Sequence, residues 1–487
     1  MPHPFDPTAP RARAWRTQAP RAVALAAALL GAAVPALALD LQQAYQSALE
    51  QDATVRAARA AADAQRERLP QARAQLMPNV SANIGRNYND LTRTQNNALG
   101  QPVTTDEQYY SYNQTLQLRQ PLYRRPLLAG LEQAGYVVQD AEATLERELQ
   151  NLGVRVTGAY LEVLLAQDQL DLVLQQKATL ITQLDAATKA FAAGSGIRTD
   201  IDEARARLDL NQAQELEARQ HLDYTRRQLE VLTNQPPDAL ARIDPARLPL
   251  QPPEPVNLDA WLTLAEERSP EILGLKARLE AARLEVQKAQ GGHHPTLDAV
   301  AQISRSGSEN VTTPSSSYTN RMLGLQLSVP LFAGGYVNST VRQALAEQTR
   351  AEEQLEATRR DLSVRLHREF RGVTEGVLKV KALEQAVKSA QQLVHSSRRS
   401  FEAGSRTLVD IMNAEQQLQT AQRDLAQARY MYVISHMRLQ ALSGGDKAHT
   451  IASINTWLMP TASTAPVQTA QAEPAVAAAS PHSSAQP

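Results

Sequence analysis

The chain contains no cysteine. Thiol chemistry, disulfides and a lipid attached through an N-terminal cysteine are therefore excluded. Aromatic residues make up only 4% of the 487 positions, few for a large globular core. Ala, Gln, Leu and Arg are plentiful, which is the composition of long helices and coiled coils. Charge of neither sign dominates, with 50 Lys and Arg against 51 Asp and Glu. No overall field draws in nucleic acid, and none is expected as a partner. Beyond residue 38 no apolar run reaches the roughly eighteen residues of a membrane helix.

The N-terminal stretch is different. Arg11, Arg13, Arg16 and Arg21 precede an apolar run from Ala22 to Val34, followed by Ala36-Leu37-Ala38. A basic segment, a short apolar segment and a small-x-small site predict a secretory signal peptide over residues 1–38, cut after Ala38. An uncleaved anchor is the alternative. The exported chain then either stays soluble or enters a membrane as a β-barrel, the only other structure that satisfies its own backbone in lipid.

What is present is said twice. Phe191-Ala192-Ala193-Gly194-Ser195 leads to Asp200-Ile201, Ala204 and Leu208, and Phe401-Glu402-Ala403-Gly404-Ser405 leads to Asp410-Ile411, Ala414 and Leu418, at a constant offset of 210. Earlier in each half stand Gln120-Pro121-Leu122-Tyr123 and Val329-Pro330-Leu331-Phe332. Such self-similarity sets the unit of architecture. Each unit has a helix (Leu41 to Leu69, and Leu258 to Ala289), two strands, a very long helix, a tight turn and a return helix. The predicted organisation is a signal peptide over 1–38, a first repeat over 39–252, a second over 253–446 and a disordered, low-complexity tail over 447–487. The proline-rich stretch from Thr233 to Asn257 joins the repeats.

The strands alternate with period two. Val80, Ala82, Ile84 and Tyr88 interleave with Asn79, Ser81, Asn83, Asn87 and Asn89, and Leu116 and Leu118 with Thr115 and Gln117. Leu297, Ala299, Ala301 and Ile303 form a third run, and Leu323, Leu325, Leu327 and Val329 a fourth. A soluble sheet covered on one face has the same period. Runs of about ten to twelve residues, however, are long for soluble strands and suit a tilted membrane strand. The segments Leu91 to Asp106 and Ser306 to Ser317 are expected as polar outer loops, and the tyrosines near the strand ends as an aromatic girdle. Four strands cannot close a barrel, since about eight is the minimum, so other copies of the chain must complete it.

The helices from Pro126 to about Gly194 and from Tyr336 to about Gly404 lack internal proline. Both carry heptad seams in one register. Val373, Val380, Val387, Val394 and Phe401 alternate with Gly376, Leu383, Ala390 and Ser397; Val163, Leu170, Leu184 and Phe191 alternate with Ala166, Val173, Leu180 and Ala187, with Lys177 the lone charge. Sustained heptads mean coiled-coil packing, and a helical bundle without a pore would carry them too.

These landmarks in this order resemble the TolC family of bacterial outer-membrane channel-tunnel proteins, over about Leu39 to Leu442. The most specific part is Phe401-Glu-Ala-Gly-Ser-Arg-Thr-Leu-Val-Asp410-Ile with Ala421 to Leu439; Asp40-Leu41-Gln-Gln-Ala-Tyr45 and Leu76-Met-Pro-Asn-Val80 belong to it as well. The resemblance implies an α+β membrane protein: a homotrimer with a 12-stranded β-barrel among outer-membrane lipid, and a long periplasmic α-helical tunnel closed at its tip. It implies as partners a periplasmic adaptor (membrane-fusion) protein and an inner-membrane ABC or proton-driven pump, with protein or small-molecule cargo left open. A soluble periplasmic coiled-coil adaptor without a pore is the alternative.

By the same resemblance Asp410 and Asn413 fall on the gate constriction, where the family has two acids; neutral Asn413 departs from that pattern. The closed-state lock falls on Thr199, Asp200, Arg406 and Phe401, and Phe401 lacks the hydroxyl of the family's tyrosine. The turns Ala193-Gly194-Ser195 and Ala403-Gly404-Ser405 fall on the adaptor-docking tips. Read without the resemblance, Asp200 and Asp410 are ordinary helix-start carboxylates. No catalytic constellation or cofactor motif is present, and His293-His294 has no ligand-spaced carboxylate near it. The chain reads as no enzyme.

Overall fold

The structure, a computed structural model, describes residues 39–237, 239–309 and 315–459. The expected signal peptide and the tail beyond residue 459 lie outside the described residues. The first repeat runs α1 (Leu41–Gln51), α2 (Ala53–Arg66), α3 (Arg68–Ala74), β1 (Asn79–Asn96), β2 (Pro102–Tyr123), α4 (Arg125–Ala192) and α5 (Arg198–Thr233). The second runs α6 (Leu258–Arg268), α7 (Pro270–Gln290), β3 (Thr296–Gly307), β4 (Ser317–Ser328), α8 (Tyr336–Glu402) and α9 (Leu408–Leu442). A last helix, α10, spans Lys447–Thr456.

The helix expected over Leu41 to Leu69 is broken at Asp52, whose backbone turns extended and whose carboxylate caps α2 by accepting from the Val55 N–H at 2.8 Å. Its counterpart breaks at Ser269, which is extended because Pro270 follows. The break is thus itself repeated, by different chemistry.

All four strands form one antiparallel sheet in the order β1-β2-β3-β4. Register aligns Val80, Leu118, Ala301 and Leu323 across it, with Ala82, Leu116 and Ile303 in a neighbouring row. This makes one continuous apolar face, on which Ile84 is 80% and Leu323 86% exposed in the single chain. The outer edges of β1 and β4 have no strand partner among the described residues.

The expected loop from Leu91 to Asp106 is mostly strand. β1 and β2 stay paired as far as Asn96 and Pro102, and only Asn97 to Gln101 turns. Asn97 builds that turn by accepting from the Leu99 and Gln101 N–H groups at 3.0 and 2.9 Å. Pairing of β2 with β3 ends at Tyr112 and Gly307, so the β1–β2 ladder continues some ten residues, about 30 Å, beyond the β2–β3 ladder. At the sheet's other end Asp298 is gripped by two arginines, accepting from Arg124 Nε at 2.8 Å and Arg119 Nε at 3.0 Å.

Helices α4 and α8, of 68 and 67 residues, are each about 100 Å long. Near the sheet both pack on α7; toward the tip α4 pairs with α5 and α8 with α9. The heptad seam is the buried line: Val373, Val380 and Ser397 are fully buried, and Ala390 and Val394 nearly so. Lys177 is tolerated on the first seam because Glu215 of α5 lies 2.7 Å from its Nζ.

Midway along the long helices the main core gathers around Tyr160. Its hydroxyl accepts from the Ala241 N–H at 2.9 Å and lies 2.9 Å from the Leu39 carbonyl. Leu39 pairs with Leu240, and Ile243 with Leu458. The start of the described chain, the linker and its end therefore meet at one ring. The disorder expected from residue 447 is corrected here. Residues 447–456 are helical, capped by Asp446, with Ile451 and Ile454 in the core, because apolar residues spaced three apart find a groove between α1, α4 and α9.

Tyr160→Phe leaves the Ala241 N–H without its buried acceptor, a loss of about 1–3 kcal/mol. Its apparent denaturation midpoint should fall in a urea titration of the purified protein. Tyr224→Phe, which removes the hydroxyl of an exposed tyrosine that accepts from Gln228 Nε2, should leave the midpoint in place.

Candidate functional site

Both helical hairpins turn in the same way. Gly194 and Gly404 sit at φ +74° and +75°, a left-handed position that glycine adopts without steric cost. Ser195 N–H reaches Ala190 O at 3.0 Å and Ser405 N–H reaches Ser400 O at 2.9 Å, closing a Schellman motif that satisfies the last carbonyls of each long helix. The tips Ala193-Gly194-Ser195 and Ala403-Gly404-Ser405 are consequently two copies of one exposed turn.

The return helices then differ. At the start of α9 Thr407 is the N-cap, and its N–H and hydroxyl both donate to Asp410 Oδ2 at 2.9 Å, a reciprocal capping box. These bonds, with the charge of Arg406, hold the Asp410 carboxyl below the ordinary aspartate range. At the start of α5 the N-cap is Ile197, which supplies no such group. Asp200 occupies the same helical position, yet its carboxylate makes no hydrogen bond or ion pair to the described residues of its own chain.

Arg406 does not reach Asp200 within the chain. It donates from Nη1 to the buried Ser397 Oγ at 2.9 Å. Phe401 and Thr199 are exposed, and the four lock positions are not bonded as a set within a single chain.

What joins the two hairpins is a small core and several polar ties. Leu180 and Ala187 of α4, Ile201 and Ala204 of α5, and Leu408 and Met412 of α9 pack together. Asn413 accepts from Arg207 Nη2 at 2.8 Å, and Glu415 accepts from Gln183 Nε2 at 2.5 Å and Arg398 Nη2 at 2.7 Å. Arg207, Gln183, Arg398 and Glu415 carry no mark in the sequence, since charged and amide residues are everywhere on these helices; only the packing of α9 between its neighbours singles them out. Among the described residues no group of His, Cys, Asp and Glu is disposed to hold a metal, and His293 faces Asn338 Oδ1 at 3.1 Å.

A family model described as outer membrane efflux protein matches residues 44–235 and 261–445, which takes in both repeats from α1 to the end of α9. The chain belongs to that family. It is 34% identical over 415 residues to the alkaline protease secretion protein AprF of Pseudomonas aeruginosa, covering 84% of this chain and 85% of that one. It is 30% identical over 444 residues to the proteases secretion protein PrtF of Dickeya chrysanthemi, covering 90% and 95%. Its fold matches the crystal structure of CusC with a TM-score of 0.72 at 16% identity, over 84% of this chain and 93% of that one. The expected TolC-type fold is therefore the observed one, and the soluble adaptor reading falls away. This family member is an outer-membrane channel with a periplasmic helical tunnel. Its family is one of channels, not enzymes.

Because the Asp410 pKa is lowered, the carboxylate stays charged at pH values where an unassisted aspartate is already protonated, and it neutralises only as pH falls through the lowered value. Thr407→Val removes the hydroxyl donor, so the pH at which residue 410 neutralises should rise. Carboxyl-carbon NMR of the labelled Asp410 side chain, followed while pH is lowered, should show a higher titration midpoint in Thr407→Val than in the native chain.

Proposed function

We propose that this channel is the outlet of a type I protein-secretion machine. An inner-membrane ABC transporter, bridged by a periplasmic adaptor, delivers a polypeptide that crosses the outer membrane through the conduit. The observation that carries this reading is the likeness to AprF and PrtF along nearly their whole length, both named for protease secretion. TolC-type channels are homotrimers that work with an adaptor and an inner-membrane pump. For this chain the free edges of β1 and β4 support the same assembly: three copies give twelve strands from four apiece, and a barrel that wide leaves a lumen.

At the tips, three Asp410 carboxylates form an acidic constriction, and Arg406 meets Asp200 of an adjoining hairpin to hold the closed state. The support for that lock is the unpartnered Asp200 carboxylate. Phe401 packs in it without a hydroxyl, and Thr199 lies beside the aspartate in sequence. The two Schellman turns are the surfaces the adaptor grips, since they are the exposed ends of both hairpins. Opening moves the hairpins between two packings.

Deleting the gene should abolish export of a specific secreted protein while leaving susceptibility to small toxic compounds unchanged. The reverse pattern would assign the conduit to a proton-driven pump exporting small molecules. In planar bilayers Arg406→Ser should assemble as the native trimer yet conduct more at rest; equal resting conductance would remove Arg406 from the lock.

A further inference from the structure

Asn413 lies one turn along α9 from Asp410, where a carboxylate would add to an acidic ring. Its surroundings suit a different task. The side-chain atom facing Arg207 Nη2 at 2.8 Å must be the amide oxygen, because a guanidinium only donates. Arg207 is itself held by a second bond, its Nε donating to Glu203 Oε1 at 2.7 Å one turn back on α5. The guanidinium is therefore aimed, and three-quarters of its side chain is out of solvent (26% exposed).

Two residues further along α9, Glu415 is shared between two other helices. One carboxylate oxygen takes Gln183 of α4 and the other takes Arg398 of α8, at a side-chain exposure of 15%. Positions 413 and 415 thus tie α9 to α4, α5 and α8, around the apolar contact of Met412 with Ile201 and Leu180.

We propose that Arg207–Asn413, with Gln183–Glu415–Arg398 beside it, is an intrachain clasp that holds the second hairpin against the first when the tunnel is closed, and that Asn413 acts in this clasp and not in the cation-attracting ring. The inference rests on the reading of the tips as a gate. A neutral acceptor suits a clasp that must open. Aspartate at 413 would form a charge-assisted pair with Arg207, stronger than a bond to a neutral amide, and its charge would be spent on that pair.

The test uses the full-length trimer in planar bilayers. Arg207→Ala and Asn413→Ala should each raise the open fraction about two- to fivefold, the range for a partly exposed polar pair. The double variant should rise no further than either single one, since both remove the same bond. Asn413→Asp should lower the open fraction without strengthening block by a trivalent cation, and Arg207→Ala added to it should restore opening. Glu415→Gln should open the channel in the same direction. Because the chain has no cysteine of its own, a flexible bis-maleimide joining Arg207→Cys to Asn413→Cys within one chain should fix the tunnel shut.

Additive effects of Arg207→Ala and Asn413→Ala would overturn the clasp, as would stronger cation block in Asn413→Asp or free opening of the cross-linked protein. Failure of the gate reading itself looks different: Arg406→Ser and Asp410→Ala would then also leave conductance and block unchanged.

Discussion

A sheet whose two edges are bare and whose outer face is apolar cannot stand in hydrocarbon alone. Each unpaired N–H and C=O in lipid costs several kcal/mol, and β1 and β4 are edge strands with no strand partner on their outer sides among the described residues. The chain is therefore built as a fraction of a closed object. The remaining design follows from that constraint: the long helices continue the wall below the sheet, their seams pair them side by side, and their turns reconverge at the far end.

The duplicated motif gives the two hairpins the same turn but not the same start to the return helix. Replacing Thr407 by Ile197 at the equivalent position takes away both a hydroxyl donor and a cap. One aspartate is consequently hydrogen-bonded by its own helix cap, while the other makes no bond within the described residues of its chain. Repetition supplies the scaffold, and a single N-cap difference gives two otherwise equivalent carboxylates different surroundings.

Much of this was legible in the sequence. Period-two alternation gave the strands their faces, and register then aligned Val80, Leu118, Ala301 and Leu323 as that alternation requires. Heptads located the buried line from Val373 to Ser397. Three things were hidden, each for a physical reason. The polar residues from Leu91 to Asp106 read as loop because a ribbon that protrudes beyond its neighbouring strands has no apolar face to betray it. The α10 segment read as tail because its few apolar residues gain meaning only from a distant groove. Partners of Asn413 and Glu415 are set by which helices flank α9, which no spacing along one helix encodes. The TolC-family landmarks located the tips, but not which of their side chains meet.

The ring at Tyr160 has a consequence for biogenesis. Leu41 N–H is satisfied by Asn455 Oδ1 across 414 positions of sequence, and the linker is closed on its other side by Leu458. Contacts this non-local demand a large loop-closure entropy and form late. A chain still emerging from the translocation machinery lacks the segment that finishes the ring, however well its earlier helices have formed. The waist is therefore among the last parts of the fold to close, since residues 455–458 must be in place before it can.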